Sequence, residues 1–155
     1  MNNNRQIIDE ARVYWEADNR PLDLGRVLYD ALLPAQRPPW AAGLLRLAST
    51  RIDVVPELER VLALAENPAR WKDALYELDV LRSMTVKERN PLYNDIIALA
   101  QKVAQVTHNA SGEPDPFPHD VGWKMIVDLH EIVLRINNPA FSEHVWHVLI
   151  EPFHI

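Results

Sequence analysis

The 155-residue chain contains no cysteine, which removes disulfides, thiolate metal ligands and a cysteine nucleophile together. Glycine is nearly as scarce. Its four copies, at 25, 43, 112 and 122, are too scattered for a phosphate-cradling loop. Long apolar runs are missing too: the opening MNNNRQIIDEARVYWE is charged every few positions and has neither a secretory signal nor a membrane span. These absences lead us to expect a cytoplasmic chain with no membrane role. Asn109 with Ser111 fits a glycosylation acceptor, but without an export signal the match reads as chance. At this length one domain buries about two-thirds of its unfolded surface, so a core needs no covalent staple.

Positive charge is the other shortage, and it is local. The net charge is -6, and a field of that sign repels a phosphate backbone and favours a basic partner. Nucleic acid is therefore not an expected partner. Residues 1–105 balance 14 Lys plus Arg against 15 Asp plus Glu, whereas residues 106–155 hold 2 against 7. All six histidines, at 108, 119, 130, 144, 147 and 154, fall in that last third as well.

Apolar residues recur at spacings of three and four almost throughout, and no stretch alternates with period two, so the chain is expected to be all-α. The periodicity predicts eight helices in a single domain over 1–155, near 3–18, 22–33, 38–50, 53–66, 68–84, 88–107, 120–137 and 140–151. Twelve prolines fall mostly at the predicted starts. Asn67-Pro68, Asn90-Pro91 and Asn138-Pro139 each put a capping side chain before a proline at the first helical position, where the missing N–H costs nothing. Pro38 and Pro39 before Trp40 make another start. The repeated Asn-Pro signal suits either an irregular helical bundle or a short HEAT-like stack of helical hairpins, whose units run to about 40–47 residues. The seventh predicted helix is the expected central element. On a wheel, Lys124, Asp128, Glu131 and Arg135 share one narrow arc, and Val121, Met125, Ile126, Leu129, Ile132, Val133 and Ile136 fill a broad one.

One segment resists helix formation: THNASGEPDPFPHDVGW, residues 107–123, with prolines at 114, 116 and 118. An irregular connection of about a dozen residues in a small domain is usually functional or disordered. Proline pre-sets extended backbone, so PDPFP presents Phe117 with Asp115 and His119 beside it. We take Asp115, Phe117, His119, Asp120 and Trp123 as the candidate partner-binding residues. The competing roles are plain: Phe117 folds back into the core, and Asp120 caps the seventh helix.

The last predicted helix carries a different pattern. His144, His147 and Glu151, at i, i+3 and i+7, form a candidate metal set suited to zinc or another divalent ion, against the alternative of a solvated polar face. There is no HExxH, because His130-Glu131 runs into IVLR. His130 itself falls in the apolar arc, as a hydrogen-bonded core histidine would. Ser111 lies near His108 and His119 in sequence, yet GxSxG is absent, so no nucleophile is assigned. Five tryptophans supply candidate anchors, with Trp15 and Trp146 expected to be the most exposed.

Two functions follow as expectations. The first is a small acidic module that binds a protein with a basic surface, by functional analogy with bacterial immunity or toxin-neutralising proteins, and needs no cofactor. The alternative is a metal-dependent hydrolase built on the histidine-rich C-terminal third.

Overall fold

Local capping chemistry sets where the elements begin. The computed structural model describes residues 4–17, 19–84, 90–112 and 122–154. Among them are eight α-helices: α1 (Asn4–Ala17), α2 (Pro21–Ala31), α3 (Arg37–Ser49), α4 (Pro56–Ala65), α5 (Ala74–Arg82), α6 (Pro91–Ala110), α7 (Met125–Ile136) and α8 (Pro139–Ile150). Short 3₁₀ turns precede α3, α5 and α7 and follow α8. Proline occupies the first turn of α2, α3, α4, α6 and α8, where its ring fixes a helical φ and no hydrogen bond is lost.

The three asparagine caps act as their sequence implies. Asn90 Oδ1 accepts from the N–H groups of Leu92 (3.0 Å) and Tyr93 (3.4 Å). Asn138 Oδ1 accepts from Phe141 N–H at 3.1 Å, and Asn67 Oδ1 from Ala69 N–H at 3.2 Å. The last of these opens a 3₁₀ turn, Pro68–Asp73, rather than an α-helix, so the helix predicted over 68–84 divides in two. The Asn137-Asn138 pair splits its labour. Asn137 ends α7 in the left-handed region (φ 49°) that asparagine tolerates, and Asn138 starts α8.

The hub is α6, not the seventh helix that the sequence pattern favoured. It packs against α3, α4, α5 and α7, and Ile96, Ile97, Leu99, Ala100, Val103, Ala104 and Val106 are all buried. Its alanines and polar residues disguised this. Ala100 and Ala104 let neighbouring helices close in, and Thr107 turns its hydroxyl back to the Val103 carbonyl (2.7 Å), satisfying itself within the helix. By contrast α7 buries one stripe, Met125, Ile126, Leu129 and Ile132, and leaves Glu131, Leu134 and Arg135 exposed.

This arrangement is a bundle. In a stack of hairpins each unit touches only its sequence neighbours, whereas here α3 lies against both α6 and α8, α2 against α7, and α1 against the turn that follows α8. One apolar core runs from Ala11 to Phe153. No helix among the described residues is long and apolar enough to cross a membrane.

Truncation tests the core. Leu99→Ala on α6 and Leu129→Ala on α7 are expected to cost about 2–5 kcal/mol each in urea unfolding. Leu134→Ala, at a side chain 47% exposed, should cost less than about 0.5 kcal/mol.

Candidate functional site

The flanks of the proline-rich segment are set by contacts with the core. At the entry, α6 runs three residues beyond its predicted end and is closed by Ser111, whose hydroxyl and N–H both donate to the His108 carbonyl. Ser111 is thus a helix-terminating residue. His108 is 2% exposed, which removes it from any surface role alongside that serine. Gly112 follows at φ +79°, with open space around its Cα, a backbone state that glycine adopts at little cost.

Asp115, Phe117, His119 and Asp120 lie outside the described residues, as does the proposed capping of α7 by Asp120. At the exit the chain is wedged. A Cβ on Gly122 would sit 2.5 Å from Val106 Cγ2 and 2.7 Å from Tyr29 Oη, so only glycine fits between α6 and α2. One residue on, the Trp123 carbonyl oxygen approaches Gly25 of α2 so closely that a Cβ there would stand 2.5 Å from it.

Trp123 is half-buried, with the Arg26 guanidinium 4.5 Å and the Lys124 ammonium 5.5 Å from its ring centroid. The ring is held by two cations. Beneath the flanks lies a cavity of about 120 Å³ bounded by Tyr29, Pro34, Arg37, Val106, Asn109 and Ala110. Arg37 closes one wall, stacked 4.0 Å over Tyr29 and donating from Nε to the Tyr29 carbonyl (3.1 Å).

The polar arc of α7 is a joint rather than a bare solvated face. Lys102 Nζ lies 3.4 Å from Asp128 Oδ2, and Arg135 pairs with Asp95 of α6. Burial pushes the Asp128 carboxyl above its ordinary value of 3.8; Lys102 opposes the shift, while Asp95 and Glu131 add to it. Desolvation therefore outweighs the ion pair at this position.

The candidate metal residues do not gather. His144, His147 and Glu151 are all exposed, and His147 Nε2 faces Glu143 Oε1 at 3.7 Å. Among the described residues no three His, Asp or Glu side chains come together as ligands for an ion. The reason is axial rise: seven residues separate two ligands by about 10 Å along a helix, against coordination bonds of about 2 Å. Glu151 also falls past the end of α8, in the 3₁₀ turn.

The tryptophan expectation is corrected as well. Trp146 is only 4% exposed; its ring packs 5.9 Å from the half-buried Trp15, and Arg12 lies 4.9 Å above it. Arg12 reaches Glu16 (2.7 Å) and Glu143 (3.7 Å) from the same position, tying α1 to α8. His130 is half-buried on the flank of α7 rather than in the core.

Two surface hollows had no clear sequence signal. One, about 560 Å³, is lined by the α3–α4 connection (Thr50 to Val55) and by Asn90, Leu92 and Tyr93. The other, about 380 Å³, lies between α3 and the end of α8 and is lined by Gln36, Pro39, Trp40, Gly43, Val148, Glu151 and Pro152. Both combine residues far apart in the chain.

Gly122→Ala forces a methyl into Val106 and Tyr29 and is expected to lower stability by about 1–3 kcal/mol in denaturant unfolding. Asp128→Asn tests the desolvated carboxylate. A folded-state pKa above the unfolded value means that the native state holds the proton more tightly, so wild-type stability falls as pH rises from about 3.8 through the raised value. The Tm difference between variant and wild type should shift in favour of the variant over that interval. Comparison with protein-family models, with curated proteins and with solved structures gives no match for this chain.

Proposed function

We propose that the chain is a protein-interaction module that presents its acidic C-terminal third, residues 113–121 included, to a partner protein with a basic surface. The observation that carries this reading is the fate of the cations. Residues 106–155 hold only Lys124 and Arg135 as cations against seven carboxylates. Arg135 is committed to Asp95 of α6, and Lys124 lies over the Trp123 ring. Two of the seven carboxylates are met by cations from earlier in the chain, Asp128 by Lys102 and Glu143 by Arg12. The first two-thirds also pairs charges of its own, Arg20 with Asp23, Arg46 with Glu66 and Arg60 with Glu77.

The segment 113–121 carries Glu113, Asp115 and Asp120 and no lysine or arginine. Its flanks are fixed, by the capped end of α6 on one side and by the wedged Gly122 on the other. Fixed flanks lower the ordering cost of binding, and a stretch with three carboxylates and no lysine or arginine steers a basic partner. A neutraliser of a basic protein such as a toxin has these properties.

The test is a charge reversal within that segment. The partner captured by wild-type protein from host lysate at low salt is expected to bind Asp115→Lys/Asp120→Lys about tenfold more slowly, with a flatter salt dependence of the association rate. An unchanged rate and salt slope would remove the segment from the interface.

A further inference from the structure

We propose that the hollow between α3 and the end of α8 is a binding site for a small organic ammonium ion with an apolar body. This inference stands apart from the acidic segment and from the protein partner. The hollow measures about 380 Å³, within the range of small-molecule sites of about 300–1,000 Å³. Its walls are Pro39, Trp40, Val148 and Pro152, and Gly43 lies at its floor.

Two polar atoms in the lining already have a partner within the protein. The Trp40 indole N–H donates to the Leu149 carbonyl at 3.0 Å and the side chain is 5% exposed, so the indole gives the hollow an apolar edge and no donor. Gln36 Oε1 accepts from Leu33 N–H at 2.9 Å. Among the described residues, the Glu151 carboxylate is the strongest acceptor and the only charge in the lining.

The placement of Glu151 sharpens the sign. It follows Ile150 directly, as the C-cap of α8, where the carbonyl end of the helix carries negative partial charge and a carboxylate is unfavourable. The nearest histidine in that last turn, His147, faces Glu143 instead. A ligand cation paired with the Glu151 carboxylate would offset this unfavourable placement.

Gly43 points the same way. A glycine inside a helix costs about 0.5–1 kcal/mol relative to alanine. A Cβ at this position would meet nothing closer than Val148 Cγ1 at 3.4 Å, so close packing does not require the glycine. Its effect is to leave the floor of the hollow open.

Phenethylammonium chloride and its neutral isostere phenethyl alcohol are the probes, read by the Trp40 indole N–H resonance in nitrogen–proton correlation spectra. The ammonium ion is expected to shift that resonance saturably and to bind about threefold more tightly than the alcohol, the size of one exposed ion pair. Glu151→Gln should equalise the two ligands while leaving affinity for the alcohol unchanged. Gly43→Leu should abolish saturation by both. Absence of saturation in the wild type, equal wild-type affinities, or a cation preference that survives Glu151→Gln would overturn the proposal.

Discussion

A helix covered by neighbours on most sides has to place the polar groups it carries, and α6 places several of them in ways that shape the rest of the molecule. Thr107 bonds to the carbonyl one turn back, and Gln101 reaches the Leu81 carbonyl at the end of α5 (3.3 Å). Asp95 and Lys102 cross to Arg135 and Asp128 of α7. These cross-links dock α7 along α6, and once it is docked the approach of the chain to α7 has little freedom. Gly122 must pass between Val106 and Tyr29, and Trp123 must back onto Gly25. A proline-rich acidic segment thus leaves α6 at the Ser111 cap and rejoins the core at a position that packing dictates.

Electrostatics connects this architecture to the proposed function. Pairs such as Arg46–Glu66 and Arg20–Asp23 are exposed on both sides, and individually such pairs contribute little to stability. Their larger effect is to neutralise the field over the first two-thirds of the chain. What remains is concentrated where carboxylates outnumber cations, so the direction of the field follows the sequence asymmetry. Asp128 shows what happens when a carboxylate is drawn inward instead: burial raises its pKa despite the nearby lysine.

Much of the fold was legible because its signals are local. An Asn-Pro start needs only the cap and the two or three N–H groups that follow it, and Asn90 and Asn138 form those bonds at the expected positions. The buried stripe of α7 also followed from periodicity alone. The dominance of α6 did not, since Ala100, Ala104 and Gln105 earn burial through long-range contacts that no helical wheel displays. Trp146 was misplaced for the same reason: its cover comes from Trp15 and Arg12, about 130 residues earlier in the chain. His144, His147 and Glu151 were read by spacing, and spacing on one helix does not produce convergence. The hollow beside Glu151 depends on a Trp40–Leu149 hydrogen bond spanning 109 positions, which leaves no mark in a local pattern.

The dependence of the segment's flanks on α6 is most directly tested by native-state hydrogen exchange. The amides of Ile96 to Val106 and of Met125 to Leu129 should exchange only through global unfolding, with one shared free energy and one denaturant slope. If the start of α7 instead opened at a free energy well below that of α6, the exit of the acidic segment would not be pinned to the hub, and the account would be contradicted.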